Sequence, residues 1–347
     1  MKGCKGILPA ILFTVFFSCG GGGSMPEQKQ GEEIKTGAAQ VEDPLVFKRF
    51  EKDLFTIEPS NFQSDTHSLR QDYGQFLDLY FNQIVRLGGV NHPMFRQNLL
   101  GFLNDPDIRS VYQSIESEFA DLNLEKGQLQ AAFQRYRGFF PDSLIPAVYT
   151  MLSGFSYNIA VSDSVLAIGL DMYLGKDSRF YELLKFPEYK SAQMHRKRIV
   201  PDAMKGFLLA SLEMKNPYKD LITRMIYQGK ILYLLAQLLP EYSKDELIGY
   251  SPEEWKWCSD HEAQIWAHFI DRKLFYSTDF NDEVAYLNDG PFTKGFPKEA
   301  PARIGVWLGF NLVESYMKKN TLSIQELIME QDARKIFNQS KYKPGRA

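Results

Sequence analysis

Little in this chain points to a staple, a metal cage or a membrane span. Only three cysteines occur in 347 residues, so no disulfide framework holds the fold. Charge of one sign is also missing: 40 basic and 43 acidic residues leave a net charge of −3. That balance gives no electrostatic footprint for nucleic acid, and the class is set aside. Histidine is scarce, with His67, His92, His195, His261 and His268 only. A long uninterrupted apolar run is lacking as well. The richest stretch, Leu221 to Leu239, holds Arg224, Gln228, Lys230 and Gln237, charges and amides that are costly at membrane depth. It reads as a buried helix of a globular core. No internal repeat is visible.

What is present begins with an address. Lys2 and Lys5 precede the apolar run Ile7 to Phe17, too short for a permanent span of ~30 Å but suited to a secretory signal core. The run ends Phe16-Phe17-Ser18-Cys19-Gly20, which resembles a bacterial lipobox. The resemblance implies cleavage before Cys19, lipidation of its sulfur (diacylglyceryl and palmitate-type chains) and a mature chain starting there. Each buried methylene contributes ~0.8 kcal/mol, so several chains on one cysteine hold the protein at a membrane. Residues 1–18 are expected to be signal peptide. Residues 19–43, rich in Gly, Glu, Gln and Lys, are expected to be a flexible tether of roughly 25–30 Å root-mean-square reach. Gly20 stands where an aspartate would signal inner-membrane retention, so the expected location is the outer membrane, facing the periplasm. With Cys4 removed and Cys19 lipidated, Cys258 has no partner and is expected to be a buried thiol.

Residues 44–347 read as one mainly helical domain with a small antiparallel sheet, an α+β fold. Ser64 to Leu87 carries apolar residues at three-four spacing and stops at Gly88-Gly89. Pro106 to Leu122 and Glu125 to Phe139 repeat the pattern, with Asp105 and Asn123 as cap candidates. Leu144 to Met151, Phe155 to Val161 and Val165 to Leu170 are β-branched and aromatic, separated at Ser162-Asp163 by a turn. Helical spacing returns over Ile199 to Lys215, Lys219 to Leu239, Pro252 to Phe275 and Pro301 to Lys319.

Catalytic patterns are weak. His261-Glu262-Ala263-Gln264-Ile265 starts like a zinc-protease motif, but residue 265 is isoleucine and the next histidine is His268. On a helix those two imidazoles sit ~10 Å apart along the axis and do not converge on one ion. Leu152-Ser153-Gly154 lacks a nucleophile elbow. No cofactor and no metal site are expected. The tryptophans Trp255, Trp257, Trp266 and Trp307 leave open an aromatic cleft for a glycan or small ligand. In Gly305-Val306-Trp307-Leu308-Gly309 two glycines share a helix face. Together with Arg303 at its start, that face is either a close-packing surface or a partner groove, with Pro301 expected in the helix's first turn.

At this point a family resemblance is carried by strings in order. These are Met225-Ile226-Tyr227-Gln228-Gly229-Lys230-Ile231-Leu232-Tyr233, the Trp255 to Leu274 segment with Glu262 and Trp266, and Leu274-Phe275-Tyr276-Ser277-Thr278-Asp279. They continue with Asn288-Asp289-Gly290-Pro291-Phe292-Thr293, Ala300-Pro301-Ala302-Arg303-Ile304-Gly305 and Glu314-Ser315-Tyr316-Met317. With the lipobox and the Val46 to Phe55 start, the chain resembles the gliding-motility lipoprotein GldB family of Bacteroidetes over most of its mature length. The resemblance implies a non-enzymatic envelope lipoprotein that supports motility or the associated secretion machinery, with envelope proteins as partners. The layout is similar, at a greater distance, to zincin-type predicted proteases. Those carry HExxH on the helix after the sheet, where this chain has Ile199-Val200-Pro201-Asp202-Ala203-Met204-Lys205-Gly206-Phe207 without a histidine, and a Glu-Gly pair where it has Gln228-Gly229. Two expectations follow from these likenesses. One is a degenerate zincin-like scaffold without its metal; the other is a hydrolase that uses an unrecognised site on it.

Overall fold

The structure is a computed structural model, and it describes residues 44–344 apart from 213 and 215–219. The expected signal peptide, Cys19 and the tether lie outside the described residues.

Four short strands organise the chain: β1 (Phe47–Arg49), β2 (Ala147–Met151), β3 (Ile159–Val161) and β4 (Val165–Gly169). Their order is β1-β2-β4-β3. The mainly helical α+β reading holds, but the sheet is mixed rather than antiparallel. β1 runs parallel to β2, and β2 parallel to β4; only β3 and β4 form an antiparallel pair. The reason lies in composition. Val165-Leu166-Ala167-Ile168-Gly169 is buried at every position, as an interior strand flanked on both edges must be. β3 is half-buried throughout and takes the edge. The Ser162-Asp163 turn is present, with Ser162 N–H donating to the Val165 carbonyl at 2.9 Å. The loop from Leu152 to Asn158 carries the chain past the position that β4 later fills, bending at Gly154 (φ +65°) and Phe155 (φ +56°). β1 carries no strand signal in the sequence, because three residues show no period.

Alternation along β2 splits two apolar cores between the faces of the sheet. Tyr149 and Met151 join Val165 and Ala167 against Phe50, Leu54, Tyr73, Phe76, Tyr80 and Leu99. Val148 and Leu152 join Leu166, Ile168 and Leu170 on the face that packs on the larger, C-terminal helical body. The first core is aromatic. Phe50 makes edge contacts with Tyr73, Phe76 and Tyr80 at centroid distances of 4.9, 5.0 and 4.7 Å.

Several helix boundaries differ from the periodic expectation, each for a local reason. The Ser64 to Leu87 pattern is interrupted at Gly74 (φ +51°), leaving helices Phe62–Tyr73 and Phe76–Leu79 and a π-turn Tyr80–Ile84. Pro252 to Phe275 breaks at His261 into Pro252–Asp260 and Glu262–Asp271, followed by a 3-10 turn Leu274–Tyr276. Asp105 does cap its helix, accepting from the N–H groups of Asp107 and Ile108. Asn123 caps nothing, being the first helical residue of Asn123–Phe139. The Leu221–Leu238 helix is the hub of the C-terminal body, with Asp220 as its cap. Among the described residues no helix is long and apolar enough to cross a membrane.

Candidate functional site

The helix expected over Pro301 to Lys319 spans Ile304–Lys319. Pro301 falls outside its first turn, because Arg303 adopts φ +60° and turns the chain immediately before Ile304. Pro301 instead offers its carbonyl to Thr293 Oγ1 at 2.6 Å. The two glycines meet different neighbours. A Cβ on Gly309 would collide with the backbone carbonyl of Met225, and one on Gly229 would collide with the carbonyl of Gly309. The Leu221–Leu238 and Ile304–Lys319 helices therefore touch backbone to backbone at Gly229 and Gly309. A Cβ on Gly305 would lie 2.9 Å from the Tyr286 carbonyl, at the end of the Phe280–Leu287 helix. Trp307 is buried, 6.3 Å edge-on from Trp255, and its indole N–H has no partner.

Arg303 leads into a charged cluster that sequence reasoning did not assemble. Its Nη2 donates to the Gly249 carbonyl at 3.3 Å. Its Nε stands 2.8 Å from Asp289 Oδ1 as an ion pair, yet the N–H is not aligned on that oxygen and makes no hydrogen bond. Arg198, at the start of the Ile199–Ser211 helix, is 8% exposed. It donates to the Glu246 carbonyl and to Asp202 Oδ1, while its Nε is buried without a partner. Asp202 also accepts from the Tyr173 hydroxyl at 3.2 Å. Gly249, at φ +80°, closes the arrangement. A Cβ there would lie 3.0 Å from Gln193 Oε1, 3.3 Å from Arg303 Nη2 and 3.5 Å from Arg198 Cζ, so the Gln193 amide and both guanidiniums crowd this glycine. Lys205 is half-buried one turn along from Asp202 on the same helix. Burial, with Arg303 and Arg198 nearby, pushes its amine down to about 8. A visible trace existed in the sequence: the run Arg196-Lys197-Arg198, with Asp202 four residues beyond Arg198 on one helix face.

His261 and His268 are held apart, each in its own local contacts. His261 Nδ1 lies 2.8 Å from the Trp257 carbonyl and its ring stacks on Trp257, while His268 Nε2 lies 2.8 Å from the Tyr286 hydroxyl. Among the described residues no three His, Cys, Asp or Glu side chains are placed to hold a metal ion. The tryptophans do not form one platform: Trp257 stacks on His261, Trp266 on Phe337, and Trp307 is internal. Ser153 donates with its hydroxyl to buried Asp171 at 3.0 Å and pins the turn after β2. Cys258 is a buried free thiol, its pKa pushed up by burial.

A cavity of about 340 Å³ opens between the Ser211 end of one helix, the Leu221–Leu238 helix and residues 328–333. Lys230 borders it. Its ammonium donates to the carbonyls of Ile328 and Glu330, and burial lowers its pKa to about 8.

The family model described as gliding motility protein GldB matches residues 28–344. The chain belongs to that family, and its involvement in gliding motility follows. No curated protein and no solved structure matches it.

Proposed function

We propose that this protein is a non-enzymatic lipoprotein of the cell envelope, anchored through Cys19 and working with the motility and secretion machinery on the periplasmic side of the outer membrane. The observation that carries the reading is the family match over residues 28–344. Three features support its finer parts. The Phe16 to Gly20 sequence has the form of a lipobox, and among the described residues no helix is long and apolar enough to cross a membrane. His261 and His268 are engaged in separate local contacts, so neither is poised as half of a catalytic pair. The body's glycine contacts and double core suit a rigid binding partner.

Radiolabelled palmitate and membrane fractionation test the anchor. Wild-type protein takes up label and sediments with the outer membrane; Cys19→Ala takes up none and is soluble or unprocessed. A cleaved Cys19→Ala protein retained normally at the membrane would remove the lipoprotein reading.

A further inference from the structure

Lys230 brings a buried ammonium to the cavity beside residues 328–333, and its surroundings leave that charge only partly answered. The residue is 8% exposed. Its Nζ reaches from the Leu221–Leu238 helix to the end of the Ile324–Met329 helix, where it donates to the Ile328 carbonyl at 3.4 Å and to the Glu330 carbonyl. An ammonium carries three protons, so one donor remains. Glu330 gives it a backbone oxygen but not its carboxylate. One oxygen of that carboxylate accepts the Asp332 N–H at 2.8 Å, and the other pairs with Lys335 at 2.6 Å. Burial lowers the Lys230 pKa to about 8, and the Glu330 charge pulls it back only in part.

The cavity itself has room for a ligand. Its volume of about 340 Å³ falls within the ~300–1,000 Å³ range of small-molecule sites. Leu212, Met214, Ile226, Ile231 and Ile328 give it an aliphatic wall, and Met329, 77% exposed, marks its solvent side. Two hydroxyls at the wall are already engaged. Thr223 donates to Asp220 at 2.5 Å, and Tyr227 donates to the Leu212 carbonyl at 2.8 Å. A buried charge is costly until a counter-charge reaches it. A ligand that matches both parts is therefore an anion with one small head and a hydrocarbon body. The thioethers of Met214 and Met329 are unbranched and adapt to a flexible chain.

We propose that this cavity binds a medium-chain fatty carboxylate, its head on the Lys230 ammonium and its chain along the aliphatic wall. One carboxylate oxygen takes the remaining ammonium proton, and the two backbone carbonyls keep Nζ in place to receive it. Such a charge-assisted bond is stronger than one between neutral groups. The inference is independent of the anchor and of the motility role.

The test is photolabelling of the full chain in detergent with a diazirine-bearing decanoate, followed by peptide mapping. Saturable label is expected on peptides that contain residues 211–214, 226–231 or 328–333. Unlabelled decanoate should compete at least tenfold better than decanol, which has the same chain and no charge. Lys230→Met, in the same micelles, should erase that preference, and the comparison cancels any difference in micelle partition. Leu212→Trp narrows the cavity without touching the ammonium, and it should cut labelling at least fivefold at an unchanged thermal midpoint. Label that never saturates, or that saturates on other peptides, overturns the proposal. So does decanol competing as well as decanoate in wild-type protein, or a decanoate preference that survives Lys230→Met.

Discussion

Gly229 and Gly309 stand where two helices cross, each with a backbone carbonyl of the opposite helix in the space its side chain would occupy. The Gly309 carbonyl fills the Cβ position of Gly229, and the Met225 carbonyl fills that of Gly309. The two backbones meet without intervening side chains, and Leu234, Leu235, Leu308, Leu312 and Val313 are buried in the core the helices share.

That contact sets the first prediction. Gly309→Leu must push two backbones apart and is expected to cost at least ~1–3 kcal/mol, seen as a lower thermal midpoint and lower cellular abundance. Gly229→Ala should act in the same direction, and the two substitutions together should cost less than their sum, since one separation relieves both. An unchanged midpoint for Gly309→Leu with lost motility would mean that this face serves a partner instead.

Glu51 gives the second. Its carboxylate is fully buried, ion-paired with Arg49 and accepting the Thr150 hydroxyl at 2.5 Å. Burial pushes its pKa up, and Arg49 and Thr150 pull it back. Removing one member of a buried pair leaves the other charge uncompensated. Glu51→Ala is therefore expected to cost ~3–5 kcal/mol in chemical denaturation. A loss below ~1 kcal/mol would show that water reaches Arg49.

Lys230 makes stability depend on alkaline pH. Its folded pKa, about 8, lies below the ordinary lysine value. Between the two values the unfolded chain binds the extra proton, so raising the pH favours the folded state. Measured against Lys230→Met, which cannot titrate, wild-type protein should gain ~2 kcal/mol of relative stability from pH 7 to pH 10. A gap between the two that stays constant across that range contradicts the depressed pKa.

How far these features were legible in the sequence varies with the signal each carries. Helix Leu221–Leu238 was readable because its apolar positions recur around the whole circumference, which fits a helix buried on nearly all sides. Its glycine contact was half readable. Gly305 and Gly309 announce a close approach, but only the folded chain shows that they face different helices. The mixed sheet was hidden, since strand direction depends on the Leu152 to Asn158 loop and not on the strands' own composition. The cationic cluster was hidden for a related reason. Arg198, Gly249 and Arg303 are far apart in sequence, and no local period links them.

The histidines supply a fourth prediction. His261→Gln with His268→Gln should leave zinc content substoichiometric, as in wild type, and motility intact, with a modest loss of stability from the Tyr286 contact. One tightly held zinc per wild-type chain, lost in this double variant, would restore the hydrolase reading.

Colony spreading of cells carrying Cys19→Ala at the chromosomal locus tests most directly whether the protein works from a lipid anchor. The predicted result is a non-spreading colony although the folded body is present at near-normal abundance, with spreading restored by the wild-type gene. Normal spreading by cells whose only copy is unlipidated and soluble would contradict it.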